Sequence, residues 1–177
     1  FAGNIEAAVD FARRCGDAVS ALSEAGLARY GATIATLMTQ KAATYLYAEE
    51  FDEAERALRS VIDDPARPSV HEVAHAHALL ALSAAWSGRM HDAAAAIDAC
   101  EAVPLPVGWR TSFFGSSYRI AKGLVLLDQG DAPGAMLERT GLDRFEADLE
   151  AWPLAVMVEA LAIEAATGPA EALAALE

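Results

Sequence analysis

Lys41-Ala42-Ala43-Thr44-Tyr45-Leu46-Tyr47-Ala48-Glu49-Glu50-Phe51-Asp52-Glu53-Ala54-Glu55-Arg56-Ala57-Leu58 reads as the end of one helix, a tight turn around Glu49 to Phe51, and a second helix running back along the first. Ala42 and Ala54 stand where two antiparallel helices come closest. Small residues there let the axes close to roughly 8 to 10 Å, the spacing of ordinary helix packing. The same pairing returns as Ala81 with Ala93, Gly123 with Ala135, and Ala160 with Ala172, at intervals of 39, 42 and 37 residues. A fixed spacing inside each unit with elastic distances between units marks a solenoid of helical hairpins, each burying its apolar face on its neighbours. The expected fold is therefore all-α: a right-handed superhelical array of antiparallel helix hairpins, about four repeats long.

Composition agrees. The chain has 177 residues and is 54% hydrophobic, yet aromatics make up only 7% and alanine dominates, with no β-branched runs, which favours helices. The formal charge of −13 would repel a polyanion, so direct nucleic-acid binding by this segment is not expected. The acidity is spread over turns and exposed faces, as a solubilising surface is. Cys15 and Cys100 have no metal-ligand spacing and fall in helical stretches, pointing to free thiols and a reducing cytoplasm. No window is apolar enough to span a bilayer and no signal peptide opens the chain, so no membrane role is expected. Beginning at Phe1 and stopping inside a helical pattern, residues 1–177 read as a single repeat domain cut from a longer protein. The units fall roughly at 1–30 (partial), 31–64, 70–101, 111–141 and 152–177.

Residues 4–15 carry Ile5, Ala8, Val9 and Ala12 on one helical face, and Gly16-Asp17 is read as a break. Gly26 and Gly31 interrupt the next stretch, so a helix to about Ala25, a short loop and a long helix from Arg29 to Ala48 are expected. The helix from Asp52 ends before Pro65 and Pro68. Ser69-Val70-His71-Glu72 is a capping box opening the next helix, Gly88 supplies a left-handed stop, and Met90 to Cys100 returns. After Val103-Pro104-Leu105-Pro106-Val107-Gly108 a helix is expected from Thr111 to Gln129. Asp131 then caps a returning helix, poorer because Arg139 falls where its counterparts place Leu58 and Ile97. Past the acidic segment Asp143 to Glu150, Trp152-Pro153 leads a long apolar helix that turns at Gly168-Pro169.

Three features invite functional readings. His71-Glu72-Val73-Ala74-His75 is a literal HExxH, which on a helix could hold zinc with the Glu as general base. Against it, Glu72 already serves the capping box, no third ligand follows at a zinc-protease spacing, His77 points away from the 71/75 face, and there are no strands to carry such a site. Trp109, Phe113, Phe114 and Tyr118 form an aromatic cluster read as a packing wedge at the third hairpin, with an exposed recognition surface as the sharper alternative. Trp86 lies at the end of a first helix, where a groove contact and a core contact are equally open. No Ser/His/Asp arrangement, phosphate-cradling glycine loop or opposed carboxylate pair emerges, so neither catalysis nor a cofactor nor a bound metal is expected.

With turns and small pairs placed, the units resemble tetratricopeptide repeats: Tyr45, Phe51, Ala54, Leu58 and Pro65 in one, Gly88, Ala93 and Pro104 in the next, Gly123, Gly130 and Ala135 in the third. Their greater length and alanine content look more like the MalT-like helical region of large bacterial LuxR-family transcriptional regulators. Gly26-Leu27-Ala28-Arg29-Tyr30-Gly31, Glu50-Phe51-Asp52-Glu53-Ala54-Glu55-Arg56 and Trp152-Pro153-Leu154 carry that likeness. The resemblance implies a middle segment between a nucleotide-binding module and a DNA-reading helix-turn-helix, receiving a small effector, a peptide or another domain of the same regulator. By register, the concave face expected to bind is lined by Thr39, Ala43 and Leu46, then His75, Leu82 and Trp86, then Ser117, Ile120 and Leu124. A free-standing repeat adaptor and, more remotely, a zinc hydrolase through residues 71–75 are the alternatives.

Overall fold

In the computed structural model, which describes residues 4–64, 69–143 and 152–174, nine α-helices follow one another: α1 (Ile5–Ser20), α2 (Glu24–Tyr47), α3 (Phe51–Ile62), α4 (Val70–Trp86), α5 (Met90–Ala102), α6 (Ser116–Asp128), α7 (Ala132–Thr140), α8 (Trp152–Thr167) and α9 (Pro169–Ala174). No strand occurs among the described residues. Each helix packs on its chain neighbour across the turns, and the first helices of successive hairpins also touch: α2 with α4, α4 with α6, α6 with α8. The small pairs behave as close-approach points. Ala42, Ala54, Ala81, Ala93 and Ala135 have no exposed surface, and a β-carbon at Gly123 would come within 2.9 Å of Val158 and 3.8 Å of the Ala135 carbonyl oxygen. In the last pair Ala172 is buried and Ala160 only half-buried.

Three of the four hairpin turns share one hydrogen-bond scheme. Glu49, Gly88 and Gly130 take left-handed φ values of 60°, 78° and 81°. The following N–H groups of Glu50, Arg89 and Asp131 reach back to the carbonyls of Tyr45, Ala84 and Leu126 at 2.8 to 2.9 Å. This scheme satisfies carbonyls that a helix end leaves bare. The fourth turn keeps the glycine, Gly168 at φ 113°, but Pro169 stands where the others donate and has no N–H to give. Only Gly168 separates its two helices, against three residues in each of the other turns, and its returning helix opens on a longer bond, Ala172 N–H to the Gly168 carbonyl at 3.4 Å.

The caps follow the sequence. Ser69 accepts from the Glu72 N–H at 3.4 Å while the Glu72 carboxylate accepts from the Ser69 N–H at 2.8 Å, completing the box. Asp131 accepts from Gly134 N–H at 3.0 Å with Pro133 tolerated in the first turn.

Several expectations need correction. α1 does not stop at Gly16 but runs to Ser20, and Gly16 is buried where the Lys41 side chain of α2 crosses it. The break comes at Ala21–Ser23, because the Ser23 hydroxyl caps a new helix by accepting from Gly26 N–H at 3.2 Å. Gly26 and Gly31 therefore lie inside α2, and the irregularity is a kink at Tyr30, whose φ of −115° and ψ of 15° leave helical geometry. Residues 109–115 are not the first turn of a helix. They form two 3-10 turns, Trp109–Thr111 and Phe113–Gly115, and α6 starts at Ser116. The proline break at 65–68, most of the acidic segment 143–150 and the stretch 175–177 lie outside the described residues.

Arg139 occupies the position equivalent to Leu58 and Ile97 and is nearly as buried as they are. Its guanidinium pairs with Asp143 and with Glu159, 2.7 Å away on α8, and lies 4.4 Å from the centre of the Trp152 ring. A polar clamp between α7 and α8 thus replaces an apolar one. Nearby, Arg119 of α6 donates to the carbonyls of Leu137 and Glu138 at 2.9 and 3.0 Å, closing the C-terminal end of α7. Any side chain at Gly141 would collide with it.

Candidate functional site

Of the nine residues expected on a binding face, Thr39, Leu46, Leu82, Ser117, Ile120 and Leu124 lie buried in the core, while Ala43, His75 and Trp86 are half-buried. Trp86 packs edge-on to Phe51 at 6.0 Å and tilted to Tyr47 at 6.4 Å, joining α4 to the preceding hairpin turn. Thr39 and His75 are the two that the fold brings together. They face one cavity of about 360 Å³ between the middle of α2, the first turns of α4 and the 3-10 segment before α6. Thr36, Gln40, Ser69, His71, Glu72, Trp109 and Phe114 complete its walls.

Each wall has a local cause. The kinked α2 presents Thr36, Thr39 and Gln40 on one face, three and four residues apart as helical neighbours are. Thr39 donates to the Thr36 carbonyl at 2.8 Å and so keeps its polar atom satisfied within the core. The capping box fixes the first turn of α4 and with it the direction of Glu72. One Glu72 oxygen accepts the Ser69 N–H and the other accepts the Thr36 hydroxyl at 2.8 Å, tying α2 to α4. The two 3-10 turns place Trp109 in the core as a floor and leave Phe114 at the rim. There it meets His75 edge to face at 5.7 Å and Phe113 at 5.9 Å.

His75 is the unusual member. Burial alone pushes its pKa down to about 4, so the imidazole is neutral at physiological pH. It makes no hydrogen bond to any described residue, although a neutral imidazole offers one donor and one acceptor. The HExxH residues do converge here, but both Glu72 oxygens are engaged. No group of three His, Cys, Asp or Glu residues is placed to hold a metal ion among the described residues.

The aromatic cluster divides its work. Trp109 and Tyr118 are buried, while Phe113 and Phe114 are exposed beside the cavity, so the packing wedge and the exposed surface are both present in one segment. The Tyr118 hydroxyl donates to Glu101 and accepts from Lys122 at 2.9 Å, and burial raises its pKa to about 12. Sequence reading missed Thr36 and Gln40. Their signal was available as polar residues at helical spacing around Thr39.

Two further hollows differ in kind. One, of about 340 Å³ between α3, α4 and α5, is bridged by the Arg89–Glu55 ion pair and holds His77, whose pKa burial lowers. The other, of about 500 Å³ on α8 and α9, is an open apolar groove lined by Met157, Leu161 and Leu173. No helix among the described residues is long and apolar enough to cross a membrane. No protein-family model, curated protein or solved structure matches the chain.

Proposed function

We propose that this chain is a non-catalytic, ligand-binding segment of helical repeats, and that the cavity between α2, α4 and the 3-10 turns receives a small effector. The observation that carries this reading is the cavity itself: its size falls in the range of roughly 300 to 1,000 Å³ typical of small-molecule sites, and its wall holds His75, a half-buried, neutral imidazole with no hydrogen bond to any described residue. Engagement of both Glu72 oxygens supports binding over zinc-assisted hydrolysis.

The wider assignment rests on the resemblance. Successive first helices in contact, each succeeded by a returning helix, support a right-handed tetratricopeptide-like superhelix. Such a segment fits the middle part of a cytoplasmic LuxR-family transcriptional regulator, with DNA bound only through a separate helix-turn-helix. The adaptor reading is favoured by one observation, the exposed apolar groove of α8 and α9, which suits a protein partner.

A thermal-shift screen of sugars, nucleotides and short peptides tests the effector reading. A true ligand at a hundred times its Kd stabilises by about 2.7 kcal/mol, several degrees in Tm for a domain of this size. The gain should vanish in His75→Phe. A ligand whose stabilisation survives that substitution would place the site elsewhere.

A further inference from the structure

We infer that the apolar groove on α8 and α9 receives the α1–α2 end of a second copy of this chain, so that copies join head to tail. The inference rests on the reading of that groove as a protein contact and is independent of the cavity. Inside the stack a first helix lies between two others, as α4 does between α2 and α6, and α6 between α4 and α8. At either end of the stack, one flank of the first helix has no such neighbour among the described residues. Both flanks are apolar. Met157 and Leu161 of α8 stand exposed with Leu173 of α9, and at the other end Phe11 of α1 stands exposed with Tyr30 and Leu37 of α2. Terminal repeats ordinarily turn a polar face outward, and neither of these does.

The exposed residues lie where a neighbouring hairpin would dock. On α8, Ala155, Val158 and Ala162 form the buried face, with Val158 against Gly123 of α6, and Met157 and Leu161 flank it on the groove side. On α1, Val9, Ala12 and Gly16 form the buried face, and Arg13 reaches Glu50 at the α2–α3 turn at 3.1 Å. Helical rotation of about 100° per residue then puts Phe11 on the opposite flank, away from α3. On α2 the Lys41 side chain crosses Gly16 of α1, and Leu37 lies one turn before it on the same side. The groove of one copy and the α1–α2 end of the next thus repeat the relation that α6 and α8 have within a copy.

Charge decides which ends meet. Residues 145–177 contain seven Asp and Glu and neither Lys nor Arg, whereas residues 1–41 balance four Lys and Arg against four acids. Two grooves face to face would set like charges together, a mismatch that selects against that pairing. The α1–α2 end carries no such excess and offers Arg14 and Arg29, both exposed. A contact between two different surfaces does not close on itself at two copies, so association continues into longer assemblies. A contact between single hairpins belongs to the small, transient class, with Kd on the order of 100 µM, and both ends stand open at the low micromolar concentrations of unfolding measurements.

Sedimentation equilibrium of the chain from about 10 µM to about 1 mM tests the inference. The average mass should rise from 18.6 kDa with concentration and pass that of a dimer. Phe11→Glu, which sets a carboxylate opposite the acidic groove, and Leu161→Gln, which makes the groove polar, should each hold the chain at 18.6 kDa throughout. Mixed together, the two variants keep one working end apiece and should pair one to one and stop there. Circular dichroism checks that both fold, and Leu173→Gln, at a more exposed position of the same groove, replaces Leu161→Gln if that variant does not. Association of Phe11→Glu alone would mean groove meeting groove, and association of Leu161→Gln alone would mean the other ends meeting. Either result, or a mixture that stays monomeric, overturns the head-to-tail contact. A native chain monomeric at every concentration overturns the second copy as occupant and leaves the groove to a different protein.

Discussion

α4 and α8 are both apolar nearly all the way round, and the fold treats them differently. α4 is wrapped by α2, α3, α5 and α6, and its side chains from Leu79 to Ala85 are buried without interruption. α8 packs on α6, α7 and α9 and leaves Met157 and Leu161 exposed. Similar composition, then, does not give similar burial. Two things separate the helices, the number of neighbours and the turn at the C-terminal end: a complete set of turn bonds after α4, and a proline that cannot donate after α8.

The widest gap should appear on truncation. Leu82→Ala removes a fully buried side chain and should cost about 3 kcal/mol in urea unfolding, whereas Leu161→Ala, already 41% exposed, should cost less than about 1 kcal/mol. Equal losses would mean that the α8 surface is covered in solution.

Acid should also strike α4 selectively. His75 is held neutral with a pKa near 4, below the ordinary 6.5, so the unfolded chain binds the proton more readily. Its contribution to stability is complete above pH 6.5 and falls as the pH drops from 6.5 toward 4. At pH 5 the loss is about 2 kcal/mol relative to pH 7. His75→Phe should flatten that part of the pH profile, and an unchanged slope would move the titration to other groups.

Turn substitutions should give smaller effects of opposite sign. Gly88→Ala forces a β-carbon into φ 78° and should destabilise by about 1 kcal/mol, while Glu49→Gly relieves the same strain at φ 60° and should stabilise by about as much. Chemical denaturation midpoints of the two variants should move apart. Smallest of all, Met157→Gln should change stability by less than about 0.5 kcal/mol, since its side chain faces the open groove.

The hairpins were legible because their determinants are local. Small residues at the crossings, a glycine or Glu49 at the turn, and Ser69 with Glu72 at a helix start act within a few residues of themselves. Gly16 misled because glycine serves both as a break and as a close-approach residue, and only the later placement of Lys41 decides between them. The segment 109–115 misled because its aromatic spacing suits a helix while Trp109 is drawn into the core and Phe114 out to His75. Thr39 and His75, two of the nine residues that register placed on one face, line the same cavity, but register could not say that Leu82, Ile120 and Leu124 point into the stack. The facing direction of a helix depends on neighbours some forty residues away. Arg139 was legible as a departure from pattern, whereas its use as a clamp to Glu159 depended on the position of α8.

Cys100 is silenced by its surroundings. Its thiol, fully buried, donates to the Ala74 carbonyl at 3.4 Å across the α4–α5 interface, and burial raises its pKa to about 11. The reactive thiolate is therefore scarce while these two helices stay together. Alkylation at this one sulfur then acts as a clock: its rate counts how often the middle of the stack separates, without any added label.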